Sequence, residues 1–292
     1  MSNEKARSLT EQIENRISSL ADETDAVRKS ETFLRWLNAM ALFPTYSHNN
    51  QILIFMQRPD ARRVAGFKTW KRLGRHVKKG AKGIAILAPC VYRKKAEPEN
   101  EDSVAVKKSF GFKVAWLFAE QDTDGAAIPE LVYSATEGGD ELLSRLEWTT
   151  EELGIELEYK DIAEPGVQGY SCGGRIVVRA TLSPTETAAV LVHELIHEDL
   201  HHGKNRDDAK QKTRNQRELE AEATTYVVLR HFGIDHVASN YLATYNVNGE
   251  QLHASLATIS AAAKRLIAAI EGDSSGTETV EAASFEENLA PA

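Results

Sequence analysis

The sequence predicts an α+β protein of two domains, the first a mixture of helix and sheet. Three observations carry this. Apolar residues recur at helical spacing near both ends of the chain, the stretches around residues 64–92 and 110–118 switch to strand-like composition, and 292 residues with 42% hydrophobic content supply a core for each of two domains. The domains are expected at residues 5–130 and 137–271, with the boundary near residues 125–137.

In the first sixty residues, Leu9, Ile13, Ile17 and Leu20, then Phe33, Leu34, Trp36, Leu37, Met40 and Ala41, form core stripes of helices. The segment TYSHNNQILIFMQ reads as a further short helix that Pro59 stops. From Val64 to about Tyr92 come VAGFKTW, a basic turn and the strand candidate IAILAPCVY. The polar AEPENEDSVAVKKS is expected as a loop before a second strand, FGFKVAWLF. Past the boundary, a helix is expected over Gly139–Leu153, then strands at Ile155–Tyr159 and Gly169–Arg179, the latter containing SCGGR with the glycine pair of a tight hairpin turn. SPTETAAVLVHELIHEDLHHG is the best-defined helix: Ser183 as N-cap, Pro184 at the first position, Glu186 completing a capping box and Gly203 as C-cap. Helices over Arg214–Phe232 and Gly249–Ile270 follow. The acidic, aperiodic residues 272–292 are expected to be disordered.

No run of eighteen apolar residues and no signal-peptide pattern is present, so the expected location is the cytoplasm, with no membrane partner. Cys90 and Cys172 are single and far apart, which predicts two reduced, buried thiols. The net charge of −8 is unevenly spread: from Arg58 to Lys95 thirteen Lys or Arg face one acid, Asp60. Within it Arg62, Arg63, Lys68, Lys71, Arg72, Arg75, Lys78, Lys79 and Lys82 are interleaved with Phe67 and Trp70, the cations and ring faces that single-stranded nucleic acid requires. The competing reading is a solvated basic turn with Phe67 and Trp70 in the core.

His193, Glu194 and His197 form an HExxH string in the capped helix. Histidines four apart share a helix face and can converge on zinc or another divalent metal, while Glu194 can reach a water at that metal as general base. Glu218 and Glu222 also share a face, so one can bind metal while the other orients a histidine; Glu220 points elsewhere. A HExxHxxGxxH arrangement fails, because Leu200 and Gly203 stand at its glycine and third-histidine positions. His201 and His202 are expected to be exposed near a helix C-terminus, and an all-histidine site through His231 or His236 stays open. Tyr226 and His231 are the candidate oxyanion donors, and the strand Arg175–Arg179 the candidate edge for an extended peptide.

The run FPTYSHNNQILIFMQRPDARRVAGFKTWKRLGRHVKKGAKGIAILAP resembles the single-stranded-DNA-binding domain of the ArdC antirestriction family, and FKVAWLFAEQDTDGAAIP its later strand, although Asp122 separates Gln121 from Thr123. VLVHELIHEDLHH and RELEAEATTYVVLRHFG are similar to the family's metallopeptidase domain and, more distantly, to ImmA/IrrE-type gluzincins. The resemblance spans roughly residues 9–270 and departs from the family in the charged insert near 96–109 and the short acidic tail. It implies a plasmid- or phage-associated protein with a DNA-binding domain joined to a gluzincin-like zinc peptidase domain. It further implies Glu218 as third metal ligand and Glu222 as the residue behind a ligand histidine. The expected function is peptide hydrolysis in an unidentified protein by a protein bound to single-stranded DNA. The alternatives are a non-enzymatic DNA protector with a structural or sensing metal site, and a transcription regulator with a vestigial zincin.

Overall fold

The computed structural model describes residues 2–22, 26–93, 107–127, 138–202, 210–235 and 249–272. The centre of the charged insert, most of the boundary segment, Gly203, His236 and the acidic tail beyond Gly272 lie outside them. The described chain runs α1 (Ser2–Ala21), α2 (Ala26–Leu42), α3 (His48–Gln57), β1 (Val64–Ala65), α4 (Phe67–Arg72), β2 (Arg75–Val77), β3 (Ile84–Arg93), β4 (Lys107–Ala119) and β5 (Thr123–Gly125). It continues through α5 (Gly138–Glu152), β6 (Glu156–Lys160), β7 (Gly169–Ser171), β8 (Arg175–Arg179), α6 (Pro184–His201), α7 (Arg214–His231) and α8 (Gly249–Glu271). None of these helices is long and apolar enough to cross a membrane.

Among the described residues, one compact unit holds residues 2–15 and 49–127. Its larger sheet has the order β1-β4-β3, with β3 and β4 antiparallel in the register Ile84↔Leu117 and Leu87↔Val114 and an irregularity between Pro89 and Val91, and β2 pairs antiparallel with β5 in a second, two-stranded sheet. Lys107–Ser109, expected in the polar loop, extend β4 instead, because β3 continues to Arg93 and gives them a pairing partner. Ile84, Ile86 and Leu117 are buried on one face. The other edge of β3 is closed by side chains of α3. Asn50 donates to Leu87 O and accepts from Leu87 N, both at 2.9 Å; Gln57 does the same for Ala85, at 2.8 and 2.9 Å. Two amides two helical turns apart therefore supply the donors and acceptors of a neighbouring strand, and the backbone groups they meet are satisfied without one.

The second unit holds residues 16–48 and 138–272. The structure packs α2 on α7, where the Tyr226 hydroxyl donates to Asn38 Oδ1 at 3.0 Å and His231 Nδ1 lies 2.9 Å from Ala41 O. The small sheet has the order β6-β8-β7, with β6 parallel and β7 antiparallel to β8. Its central strand buries Ile176, Val177 and Val178. The hairpin turn falls on Gly173 and Gly174, with φ of 81° and 88°, a backbone conformation that side chains oppose. Glu198 of α6 accepts from both of their N–H groups at 2.7 Å and ties the hairpin to the helix. Against the expectation of two buried thiols, Cys172 is exposed, because it opens this turn, and Cys90 is half-buried; both are free.

His48 Nε2 and His253 Nε2 lie 3.2 Å apart in this unit. Burial, and then the neighbouring His253, push the His48 pKa down to about 4. An imidazole whose folded pKa lies below its unfolded value contributes full stability above the unfolded value and loses it as pH falls toward the folded one. Acidification from pH 7 to pH 5 is expected to cost on the order of 1–2 kcal/mol, allowing for partial solvent screening. Melting temperatures of the wild type and His48→Asn at the two pH values check this, and an unchanged pH dependence in the variant would contradict it.

Candidate functional site

The capping box predicted for α6 forms: Ser183 accepts from the Glu186 backbone, and Glu186 Oε2 accepts from Ser183 N at 2.9 Å. A second capping box, between Thr213 and Gln216, starts α7. Leu191, Val192, Leu195 and Ile196 of α6 and Leu219, Ala223 and Val227 of α7 are buried, which holds the two helices side by side. Their remaining faces bring His193, His197 and Glu218 together. His193 Nε2 and His197 Nε2 are 3.1 Å apart, and Glu218 Oε2 is 3.9 Å from the first and 3.7 Å from the second. These edges match donors that converge at about 2.0–2.2 Å on a common centre, the range of zinc bonds to nitrogen and oxygen. The three residues form a group that fits a divalent metal.

Glu222 Oε2 lies 3.5 Å from His193 Nδ1, behind the ring. Burial alone depresses the His193 pKa, yet the Glu222 hydrogen bond and the charges of Glu194, Glu222 and Glu218 outweigh it and hold the pKa above the ordinary histidine value. The His197 imidazole beside it sets the Glu218 carboxyl below its usual range, with the charges of His193 and Arg214 adding to the effect. Glu194, only 8% exposed, borders the same open cleft of about 810 Å³. The cleft is also lined by β7, Arg214, Arg217, Glu218 and Glu222.

Several sequence expectations change. His201 is 4% exposed rather than a helix-end surface residue, because α7 and α8 cover that end of α6 with Glu220 and Ser255. His231 is held between Ala41 O and Glu271, and Tyr226 by Asn38; neither borders the cleft, which removes them as oxyanion donors and His231 as a ligand. The strand beside the cleft is β7, not Arg175–Arg179, which is paired on both sides. A Cβ on Gly169 of β7 would stand 2.5 Å from Val190 Cγ1 and 3.0 Å from Val177 O, so glycine permits this edge to lie against α6. Arg214 and Arg217 were missed; their only sequence signal is their place one helical turn before, and directly beside, Glu218.

The basic segment divides. Trp70 is 2% exposed and donates its indole N–H to Phe118 O at 2.9 Å, so its ring is core. Arg63 pairs with Glu120, Lys78 with Asp124, and Arg75 bonds to Thr123 and Ala126, which ties these cations to the segment after β4. Arg62, Lys68, Lys71, Arg72, Lys79 and Lys82 remain exposed, with Phe67. Two aromatics outside the expected set join them. Phe112 and Trp116, both on one face of β4, are 52% and 50% exposed, and Phe118 of that face meets Phe67 edge-on at 6.5 Å. The Trp116 ring lies over Gly83, where a Cβ would be 2.9 Å from it.

Residues 4–118 match the model of the N-terminal domain of anti-restriction factor ArdC, and residues 150–256 the IrrE N-terminal-like domain. An uncharacterized protein of Bacillus anthracis is 26% identical over 298 residues, covering 85% of this chain and 48% of the relative, so the chain spans about half that relative's length. Among solved structures, the metal-free crystal structure of the antirestriction ArdC protein from plasmid R388 is similar with a TM-score of 0.49 and 18% identity, covering 78% of this chain and 86% of that one. The Mn(II)-bound structure of the same protein gives 0.45 and 17%, with coverage of 80% and 90%. One chain thus carries, in order, a segment that matches the N-terminal domain of anti-restriction factor ArdC and a segment that matches the IrrE N-terminal-like domain.

Proposed function

We propose that the protein is a DNA-associated zinc metallopeptidase of the ArdC-like antirestriction type, with single-stranded-DNA binding in domain 5–130 and hydrolysis of a peptide bond in another protein in domain 137–271. The observation that carries the reading is the carboxylate of Glu194, which borders the same cleft as three converging donors, since a purely structural metal needs no base there. His193, His197 and Glu218 hold the metal, and Glu222 orients His193. When bound, zinc supplies Lewis acidity and makes water a nucleophile near neutral pH. Glu194 takes the proton from the attacking water and returns it to the leaving amine. The substrate backbone extends along the edge of β7 that no strand occupies among the described residues, where Gly169 lets β7 approach α6. Arg214 and Arg217 add positive charge to the cleft.

For the DNA, the revised surface consists of the rings of Phe67, Phe112 and Trp116 as stacking faces and of Arg62, Lys68, Lys71, Arg72, Lys79 and Lys82 as phosphate contacts. Their exposure supports this assignment.

In cells carrying the wild type, protein N-termini are expected that are absent when His197→Ala replaces it; both proteomes are compared by labelling of free N-termini. Identical sets from the two strains would overturn the peptidase reading.

A further inference from the structure

Three histidines of α6, His193, His197 and His201, succeed one another at single helical turns on one face, yet only two of them meet Glu218. The third faces the back of the second. His197 turns Nε2 toward His193 and Glu218, at 3.1 and 3.7 Å, and its opposite nitrogen, Nδ1, lies 2.9 Å from His201 Nδ1. His201 Nε2 in turn reaches Glu220 Oε2 at 3.5 Å. Both side chains are 2% exposed. Glu220 is anchored by Lys212, whose Nζ lies 3.0 and 2.7 Å from its two oxygens, and by the Ser255 hydroxyl of α8 at 3.3 Å.

We propose that His201 is a positioning residue for the metal centre, fixing the orientation and tautomer of His197 through a buried chain that ends at Glu220. The inference rests on the metal-site reading above and extends it by a residue outside the HExxH string. The direction of the chain follows from proton counting. A histidine that offers Nε2 to a metal carries its proton on Nδ1, and that N–H needs an acceptor. His201 Nδ1 is the acceptor present, so the proton of His201 sits on Nε2, directed at the Glu220 carboxylate. The reverse order would place a proton on His197 Nε2, aimed at His193 and Glu218, where a cation belongs. Lys212 balances the Glu220 charge, so every member of the chain has a partner. Each metal histidine then has its own acceptor behind it: Glu222 at 3.5 Å for His193, and the His201–Glu220 pair for His197. A leucine at position 201 would fill this covered space without the cost of burying an imidazole, and it would leave the His197 N–H with no acceptor.

The test uses the full chain, with Zn2+ titrated against a chromophoric chelator and Co2+ as a visible-absorption probe. The wild type is expected to take one equivalent of either ion. His201→Leu should keep that stoichiometry, lose roughly 10- to 100-fold in Zn2+ affinity and shift its Co2+ bands. His201→Asn, whose side-chain oxygen can occupy the place of the imidazole Nδ1, should recover most of the loss. Wild-type affinity and bands in His201→Leu would overturn the positioning role and leave the metal site standing, whereas a wild type that binds neither ion would overturn both. A measurement on the wild type alone guards against a variant that does not fold. Imidazole 15N shifts of the Zn2+-loaded protein should place the proton of His197 on Nδ1 and that of His201 on Nε2, and a His201 proton on Nδ1 would overturn the proposal.

Discussion

Glu194→Gln is expected to lower peptide hydrolysis by roughly 10²–10⁴-fold, the usual contribution of a general base, while the bound metal and the fold persist. The substitution is nearly isosteric, and Glu194 stands outside the group of three converging donors, so the amide can occupy its place without disturbing them. Labelled N-termini in cells carrying the variant should match those of cells without the protein, and the purified variant should take up one equivalent of Zn2+. Continued cleavage with the metal in place would remove Glu194 from the role of base. Loss of both cleavage and metal would show that the substitution reports on the site's assembly.

Trp70→Ala and Trp116→Ala are expected to separate two roles that one residue type plays in the same domain. Trp70 is 2% exposed with its indole bonded to Phe118 O, and its loss leaves a cavity, so unfolding should become easier by about 3–5 kcal/mol. Trp116 is 50% exposed. Its removal should leave the urea midpoint almost unchanged and weaken binding of a short oligonucleotide by roughly 5- to 150-fold, the equivalent of about 1–3 kcal/mol for one stacked base. Raising the salt concentration should weaken the wild type and Trp116→Ala with the same slope, because the phosphate contacts are untouched. Equal oligonucleotide affinity in Trp116→Ala and wild type would rule the β4 face out as the stacking surface.

The contrast shows which parts of the molecule are legible in one dimension. The α6 cap was readable because Ser183 and Glu186 interact across one turn, and the His193–His197 pair because a helix brings them together without help. The SCGGR turn was readable for the same local reason. Trp70 and His201 were misjudged because their environment is supplied from far along the chain: Phe118 for one, Glu220 and Ser255 for the other. A turn rich in lysine says nothing about which of its aromatics a later strand will cover. In β4 the alternation of Phe112, Val114, Trp116 and Phe118 was present in the sequence, but its exposed face is decided by how β3 and β1 pair with it. His201 did carry a local signal, since it continues the four-residue spacing of the metal histidines. The packing of α2 on α7 had none, as the two helices meet across about 190 residues of chain.

The amide pair that closes β3 restricts how this domain can age. Asn50 and Gln57 each present a donor and an acceptor to one residue of the strand. Deamidation of either would keep the acceptor and replace the donor with a second oxygen, set against the carbonyl of Leu87 or Ala85. The strand would then lose a bond and face a repulsion at the same point, and an edge now shut to other chains would be released. At these two positions an acid in place of the amide would weaken the cover on β3 and favour self-association through that edge.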